Sequence, residues 1–400
     1  MATQQNRKRA NKADRARRKR NKAIILVVEA VVVVVLIVAL YLVTKLDPIH
    51  KDVIDADEIV INTIPEEEAE EFMVDVDDVK MNGELHGMEG YRNIALFGVD
   101  ARNENLGKGV RSDTIIVASI NEQTKQVKLC SVYRDTYLNL GTDQYSKATE
   151  AYAHGGPKQA INMLNMNLDL NITDYVTVGW SAVADTVDAL GGVEIDVDSE
   201  ELKHLNNYQV ETSSSLGRKY VKLNQTGLVN LDGIQAVSYC RIRYTKGDDF
   251  KRAERQREVI QALADKAKKA NPADLDKIAN KVFPQTATSF TLSEILDLLK
   301  DVASYEIVET SGFPVAQYRT TGIVKGHGDC VIPADLETNV IILHRFLFNN
   351  DDYVVSGPVA SYGDKIRSDT GTSKVTEVPA FSIDTGDEDT PTVGESATGE

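Results

Sequence analysis

Asn93-Ile-Ala-Leu-Phe-Gly-Val99 is an apolar run of strand length that stops at Asp100. Thr114-Ile-Ile-Val-Ala-Ser-Ile120 repeats the pattern after a polar loop, Ala101–Val110. Short apolar runs bounded by turn residues and rich in β-branched side chains suit buried strands. Asn121-Glu-Gln-Thr-Lys125 is turn-like and Gln126–Val132 returns as a third strand, so a hairpin is expected. Beyond it, helical and strand patterns alternate. Helices are expected at Lys147–Ala153 and Pro157–Asn167, the second with proline at its first position. Tyr175–Val178 and Val193–Val197 read as strands around a helix at Ser181–Leu190 that Gly191-Gly192 closes. Asp232–Tyr239 and Glu254–Ala270 read as helices, the latter ending near Asn271-Pro272. Further helices fit Asp274–Val282, Ser293–Asp301 and Ala334–Phe348. This alternation predicts an α/β fold.

Composition is ordinary for a globular chain, with 42% hydrophobic and 26% charged residues among 400. Charge is not evenly spread. Residues 1–22 carry ten Lys or Arg against one Asp, yet the whole chain has a formal net charge of −16. The body is therefore strongly acidic, which excludes a general nucleic-acid binder, and no nucleic acid is expected as a partner. Ala23–Val43 is apolar apart from Glu29 and long enough to span a bilayer. No small-x-small cleavage site follows it. Basic residues before the run and acidic ones after it place the N-terminus in the cytoplasm and the body outside the membrane. The expected organisation is a basic tail over 1–22, a transmembrane helix over 23–44, an acidic stalk over 45–90, a catalytic domain over 91–360 and a disordered acidic tail over 361–400. Three cysteines, Cys130, Cys240 and Cys330, are too few for a disulfide scaffold. Buried free thiols are expected, with one disulfide left open.

The chemistry-bearing residues concentrate in Tyr239-Cys-Arg-Ile-Arg-Tyr244 and Asp249-Phe-Lys-Arg-Ala-Glu-Arg-Gln256. Planar guanidinium forks bind phosphate through paired charge-assisted hydrogen bonds. If Cys240–Tyr244 is extended, Arg241 and Arg243 share a face. On a helix, Arg252, Arg255 and Gln256 share another. Asp100 and Asp113 stand at one edge of the expected sheet and suit a hard divalent cation such as Mg²⁺. Arg111 lies on the strand face of Asp113 and suits an ion pair with it. Arg134 follows the third strand, and Lys147 opens a helix where it could reach a phosphate. His154 reads as a helix-terminal cation. No GxSxG, Walker A or dinucleotide fingerprint is present, so classical hydrolase, kinase and Rossmann readings lose their support.

In order, Gly98-Val-Asp100, Arg111-Ser-Asp-Thr114, Arg134-Asp-Thr136, Lys147 with Ala151-Tyr-Ala-His-Gly-Gly156, Asp188-Ala-Leu-Gly-Gly-Val193, Leu231-Asp-Gly233, Arg241-Ile-Arg243 and Asp249–Gln256 resemble the LytR-CpsA-Psr family. The resemblance implies an α/β fold with a mixed central sheet flanked by helices, behind one N-terminal transmembrane helix. It implies a membrane-anchored phosphotransferase that moves an anionic glycopolymer, of teichoic acid or capsule type, from an undecaprenyl pyrophosphate carrier to peptidoglycan. Asp100 and Asp113 would hold Mg²⁺. Arg134, Lys147, Arg241, Arg243, Arg252 and Gln256 would grip the pyrophosphate, with Arg134, Arg241, Arg243 and Asp113 as the catalytic set. Arg111, Asp249 and Arg255 would support them. The chain departs from the family pattern at Tyr133, Trp180, Cys240 and Lys251, and none of these removes a charged ligand. The rival readings are a polyprenyl-pyrophosphate hydrolase and a lipid-binding regulator of envelope assembly.

Overall fold

A computed structural model describes residues 50–51, 54–62, 87–100, 106–243 and 248–374. The expected basic tail and transmembrane helix fall outside these residues. Among the described residues no helix is long and apolar enough to cross a membrane.

The strands are β1 (His50–Lys51), β2 (Tyr91–Val99), β3 (Ser112–Asn121), β4 (Gln126–Val132), β5 (Tyr137–Asn139), β6 (Tyr145–Lys147), β7 (Asp174–Gly179), β8 (Val193–Val197), β9 (Gly227–Leu231), β10 (Thr286–Thr288), β11 (Glu306–Phe313), β12 (Arg319–Val324) and β13 (Gly328–Pro333). The helices are α1 (Thr149–Leu168), α2 (Trp180–Ala189), α3 (Ser199–Leu216), α4 (Gly233–Cys240), α5 (Asp248–Ala267), α6 (Pro272–Lys281), α7 (Leu292–Lys300), α8 (Leu336–Phe348) and α9 (Gly357–Thr370). Seven strands form one mixed sheet in the order β1-β10-β7-β2-β3-β4-β11. The antiparallel β2-β3-β4 meander is its centre, with β7 and β11 added parallel to β2 and β4. In the β3-β4 turn, the amides of Gln123 and Thr124 donate to Asn121 Oδ1, and Lys125 takes φ 60°.

Strand alternation divides the apolar side chains between two cores. Ala95, Phe97, Val99, Ile115 and Val117 face α1, α8 and α9, where Tyr152, Ile161, Leu164, Leu343 and Ile366 meet them. Ile116, Ala118, Leu129 and Val127 face the other way and meet Ile260 of α5. Beside that face, the β8-β9 hairpin turns Val193, Ile195 and Val197 onto Leu205, Tyr239 and Val259, giving a smaller core that fixes α3, α4 and α5.

Four sequence expectations need correction. The helix pair around Gly156 is one element, bent where Gly156 adopts φ 69° and ψ −156°; only glycine takes that conformation without strain. Lys147 ends β6 rather than opening a helix. Residues 50–51 and 54–62, assigned to the stalk, belong to the body: β1 extends the sheet, Ile59 is in the main core, and Asn62 donates to Met166 O at 2.8 Å. The segment from 361 is not wholly unstructured, because α9 runs to Thr370 and buries Val359 and Ile366. Residues 375–400 lie outside the described residues. All three cysteines are buried free thiols.

Candidate functional site

β2, β4, β7 and β11 all end at one edge of the sheet, since Val99 pairs with Gly179 of β7 and Phe313 with Val132. Val99 also pairs with Ser112, so Asp100 and Asp113 lie at that edge together. Chain ends of parallel strands are where an open α/β sheet leaves room for a ligand. Arg134 follows β4 there, and Trp180 follows β7.

The helical layer brings the second half of the site. A capping box fixes the start of α4: Gln235 N donates to Asp232 Oδ1 while Asp232 N donates to Gln235 Oε1. The helix runs to Cys240 and ends at Arg241, with φ −98° and ψ −9°. The arginine stretch is therefore a helix terminus, not a strand, yet Arg241 and Arg243 still reach one cavity because buried Ile242 pins the backbone between them. α5 adds Arg252 and Gln256, both about 95% buried.

Asp113, Arg241, Arg243, Arg252, Gln256 and Trp180 line this cavity, of about 200 Å³. Arg134 donates through Nη1 to Asp113 Oδ1. Two further carboxylates order the cations. Asp249 accepts from Arg243 Nε at 2.9 Å and Nη2 at 2.8 Å, and lies 3.3 Å from Arg252 Nη2. Asp135 lies 3.2 Å from Lys147 Nζ, 3.6 Å from Arg134 Nε and 3.9 Å from Arg243 Nη2. Burial alone would raise the Asp249 carboxyl, but Arg252 and Arg243 outweigh it and hold Asp249 below the usual range. Burial likewise lowers Arg252, and Asp249 opposes that shift. Arg134 Nε and Arg252 Nε are buried donors with no hydrogen bond among the described residues. Asp135 Oδ1 and Asp249 Oδ2 are likewise buried without a hydrogen bond, so the case for an anion rests on charge: Arg134, Lys147, Arg241, Arg243 and Arg252 outnumber Asp113, Asp135 and Asp249.

A second cavity, of about 260 Å³, lies between the sheet face and α2, α4 and α5. Leu96, Gly98, Ile116, Val176 and Val178 form its floor, and Val183, Val259, Ile260 and Leu263 its roof. Gly98 is required there: a Cβ would lie 2.9 Å from the Thr114 side chain. Trp180, Cys240 and Gln256 line both this apolar cavity and the arginine cavity, so the two adjoin. Burial, with the charge of Glu258, pushes the Cys240 thiol up to about 12, so it serves as an inert apolar wall.

Asp100 lines a small recess beside the arginine cavity, again with Trp180 and Arg241. Among the described residues no three His, Cys, Asp or Glu side chains group as a metal centre. Asp100 and Asp113 line neighbouring spaces, and Asp113 Oδ1 accepts from Arg134, so they would supply Mg²⁺ at most a partial shell completed by water and phosphate oxygens. Two residues named from sequence are engaged elsewhere. Arg111 is exposed and pairs with Glu150 at 3.2 Å rather than with Asp113. Arg255 pairs with Glu201 at 2.8 Å, toward the smaller core. Sequence reasoning passed over Asp135, which lies within a quoted motif but gains its partners only through long-range contacts. It also passed over Glu211 and Thr212 of α3, which accept from Arg241 at 2.9 and 3.0 Å. The Asp198-x-x-Glu201 capping box that opens α3 was the available signal.

The LytR_cpsA_psr family profile matches residues 60–329. A teichoic acid transferase, TagU of Enterococcus faecalis, is 31% identical over 53% of this chain and 66% of its own length. TagT of Bacillus subtilis, named a polyisoprenyl-teichoic acid–peptidoglycan teichoic acid transferase, is 30% identical over 58% of this chain and 70% of its own. The match to TagV of Bacillus subtilis spans about half of that relative, 51%. Among solved structures, Bacillus subtilis TagV superposes with a TM-score of 0.51 at 25% identity, covering 66% of this chain and 98% of that one. TagT bound to LIIa-WTA superposes at 0.50 with 22% identity, covering 74% and 96%.

Proposed function

The chain belongs to the LytR_cpsA_psr family, and from that premise we propose that it transfers an anionic glycopolymer from a polyprenyl pyrophosphate carrier to peptidoglycan. One observation carries the reading: an apolar cavity adjoins an arginine cavity through Trp180, Cys240 and Gln256. A lipid pyrophosphate needs such a pair of spaces, one apolar for the chain and one cationic for the headgroup.

In this account Arg134, Lys147, Arg241, Arg243, Arg252 and Gln256 hold the pyrophosphate, and Asp135 and Asp249 hold those cations in register. A peptidoglycan hydroxyl attacks the sugar-linked phosphorus: the new P–O bond forms, the P–O bond to the lipid phosphate breaks, polyprenyl phosphate leaves, and the hydroxyl proton passes to water. Positioning and charge neutralisation supply most of the acceleration, because phosphoryl transfer asks little covalent chemistry of a protein. Mg²⁺ held by Asp100 and Asp113 would neutralise charge on the phosphate oxygens. The arginines stabilise charge that grows on the leaving lipid phosphate. The apolar run at 23–44 would anchor the chain with the body outside the membrane, where both the lipid carrier and the wall acceptor are found.

Trp180 is the single tryptophan of the chain, and it lines both cavities. Titrating the full chain with a polyprenyl pyrophosphate should therefore change its emission saturably, and uncharged polyprenol should bind far more weakly. Equal responses to the two lipids would contradict the headgroup assignment.

A further inference from the structure

The far side of α5 carries a cleft of about 460 Å³, between that helix, β8 and Thr310 of β11. Its α5 wall presents Glu254, Glu258, Gln261 and Asp265, spaced by three or four residues along one helix face, with Arg257 beside them. Its opposite wall is the outward face of β8, where Glu194 and Asp196 are exposed while Val193, Ile195 and Val197 point to the core. Glu254 pairs with Lys251 at 2.8 Å and Glu258 accepts from Tyr239 Oη at 2.6 Å, so Glu194, Asp196 and Asp265 make the acidic rim. Arg257 contradicts that pattern. It is 96% buried, and its Nε and Nη1 have no hydrogen-bond partner among the described residues. Charged donors withdrawn from water without acceptors are unfavourable by more than neutral ones would be. Five carboxylates line the same cleft, yet no ion pair to Arg257 is formed among the described residues.

A ligand that satisfied both features would bring an anionic oxygen to the Arg257 floor and a cation to the acidic rim. A simple anion would be repelled by the rim, and a simple cation would leave Arg257 unpaired. We propose that this cleft binds a zwitterionic peptide, its carboxylate on Arg257 and its ammonium among Glu194, Asp196 and Asp265. Resting on the transfer reading above, the peptide is the stem peptide of the peptidoglycan acceptor, which carries both groups. Arg257 follows Gln256 directly and lies about 100° round the helix from it, so one helix would hold the donor headgroup on one side and the acceptor's peptide on the other.

The test uses the full chain and a synthetic stem pentapeptide containing lysine, followed by isothermal titration calorimetry. Binding should weaken by about tenfold or more when the lysine is acetylated, when Arg257→Gln is introduced, or when Asp196→Asn is introduced on the exposed strand face. Polyprenyl pyrophosphate binding, read in parallel, should be unchanged in Asp196→Asn and in Arg257→Gln. Absence of pentapeptide binding by the parent chain, or equal binding by the parent and Asp196→Asn, overturns the proposal. Loss of lipid binding in the parent chain would instead strike the transfer reading, so the two failures are told apart.

Discussion

Arg243 is the residue on which the arginine cluster turns, because its guanidinium bridges both ordering carboxylates, Asp249 at 2.8 Å and Asp135 at 3.9 Å. Lysine could not reproduce the Nε and Nη2 pair on Asp249, since an ammonium is a point charge without a fork. Arg243→Ala or Arg134→Ala should lower transfer by at least ~100-fold, in line with the loss of a preorganised donor at a developing charge. Circular dichroism should be unchanged, since neither side chain belongs to an apolar core. Turnover near that of the parent chain in either variant would remove the residue from the site. At this scale the sequence was informative about cations and silent about the carboxylates that place them. Asp135 reads as a strand-end residue until Lys147 and Arg243, far along the chain, are folded onto it. Trp180 registers in the sequence only as a departure from the family pattern, although it borders three adjoining spaces.

At the scale of elements, two contacts explain how distant strands hold the site. Arg319 of β12 stacks over Phe250 at 3.7 Å and donates to Tyr133 Oη at 3.1 Å. Those two aromatics flank Asp249 and Arg134, so β12 braces both halves of the arginine cluster. The second contact ties α9 to α8: Arg367 pairs with Asp335 at 2.9 Å and with Glu337, and Lys374 reaches Glu337 at 2.9 Å. Burial alone would raise Glu337, but these cations hold it down to about 2. Its folded value lies below its unfolded one, so its contribution is fully present above pH ~4.5 and is lost as pH falls toward ~2. Urea unfolding across this range should show a decline that is smaller in Glu337→Gln, by on the order of 2–3 kcal/mol. A decline of the same size in that variant would contradict the assignment. The long apolar strands and most helices were legible because each carries its own local signal, but α3 and α9 went unread despite their caps, Asp198 and Ser356. β8 was legible too, but its partner β9 and the strands from β10 to β13 were not. They are short or half-exposed, and pairing across the fold decides them more than propensity does.

For the whole molecule, the sheet's two faces divide the work. The face toward α1, α8 and α9 is a closed core, and the face toward α2, α4 and α5 leaves an apolar space that opens on cations. That division follows from strand alternation, with Gly98 clearing the floor of the open side. The central claim is that this paired space positions a lipid pyrophosphate for transfer to peptidoglycan. The most direct measurement incubates the full chain with Mg²⁺, a lipid-pyrophosphoryl glycopolymer and peptidoglycan oligomers, and reads the products by mass spectrometry. The account predicts a sugar-phosphate adduct on the glycan together with polyprenyl phosphate, both absent with Arg243→Ala. Free sugar phosphate beside unmodified glycan would contradict it.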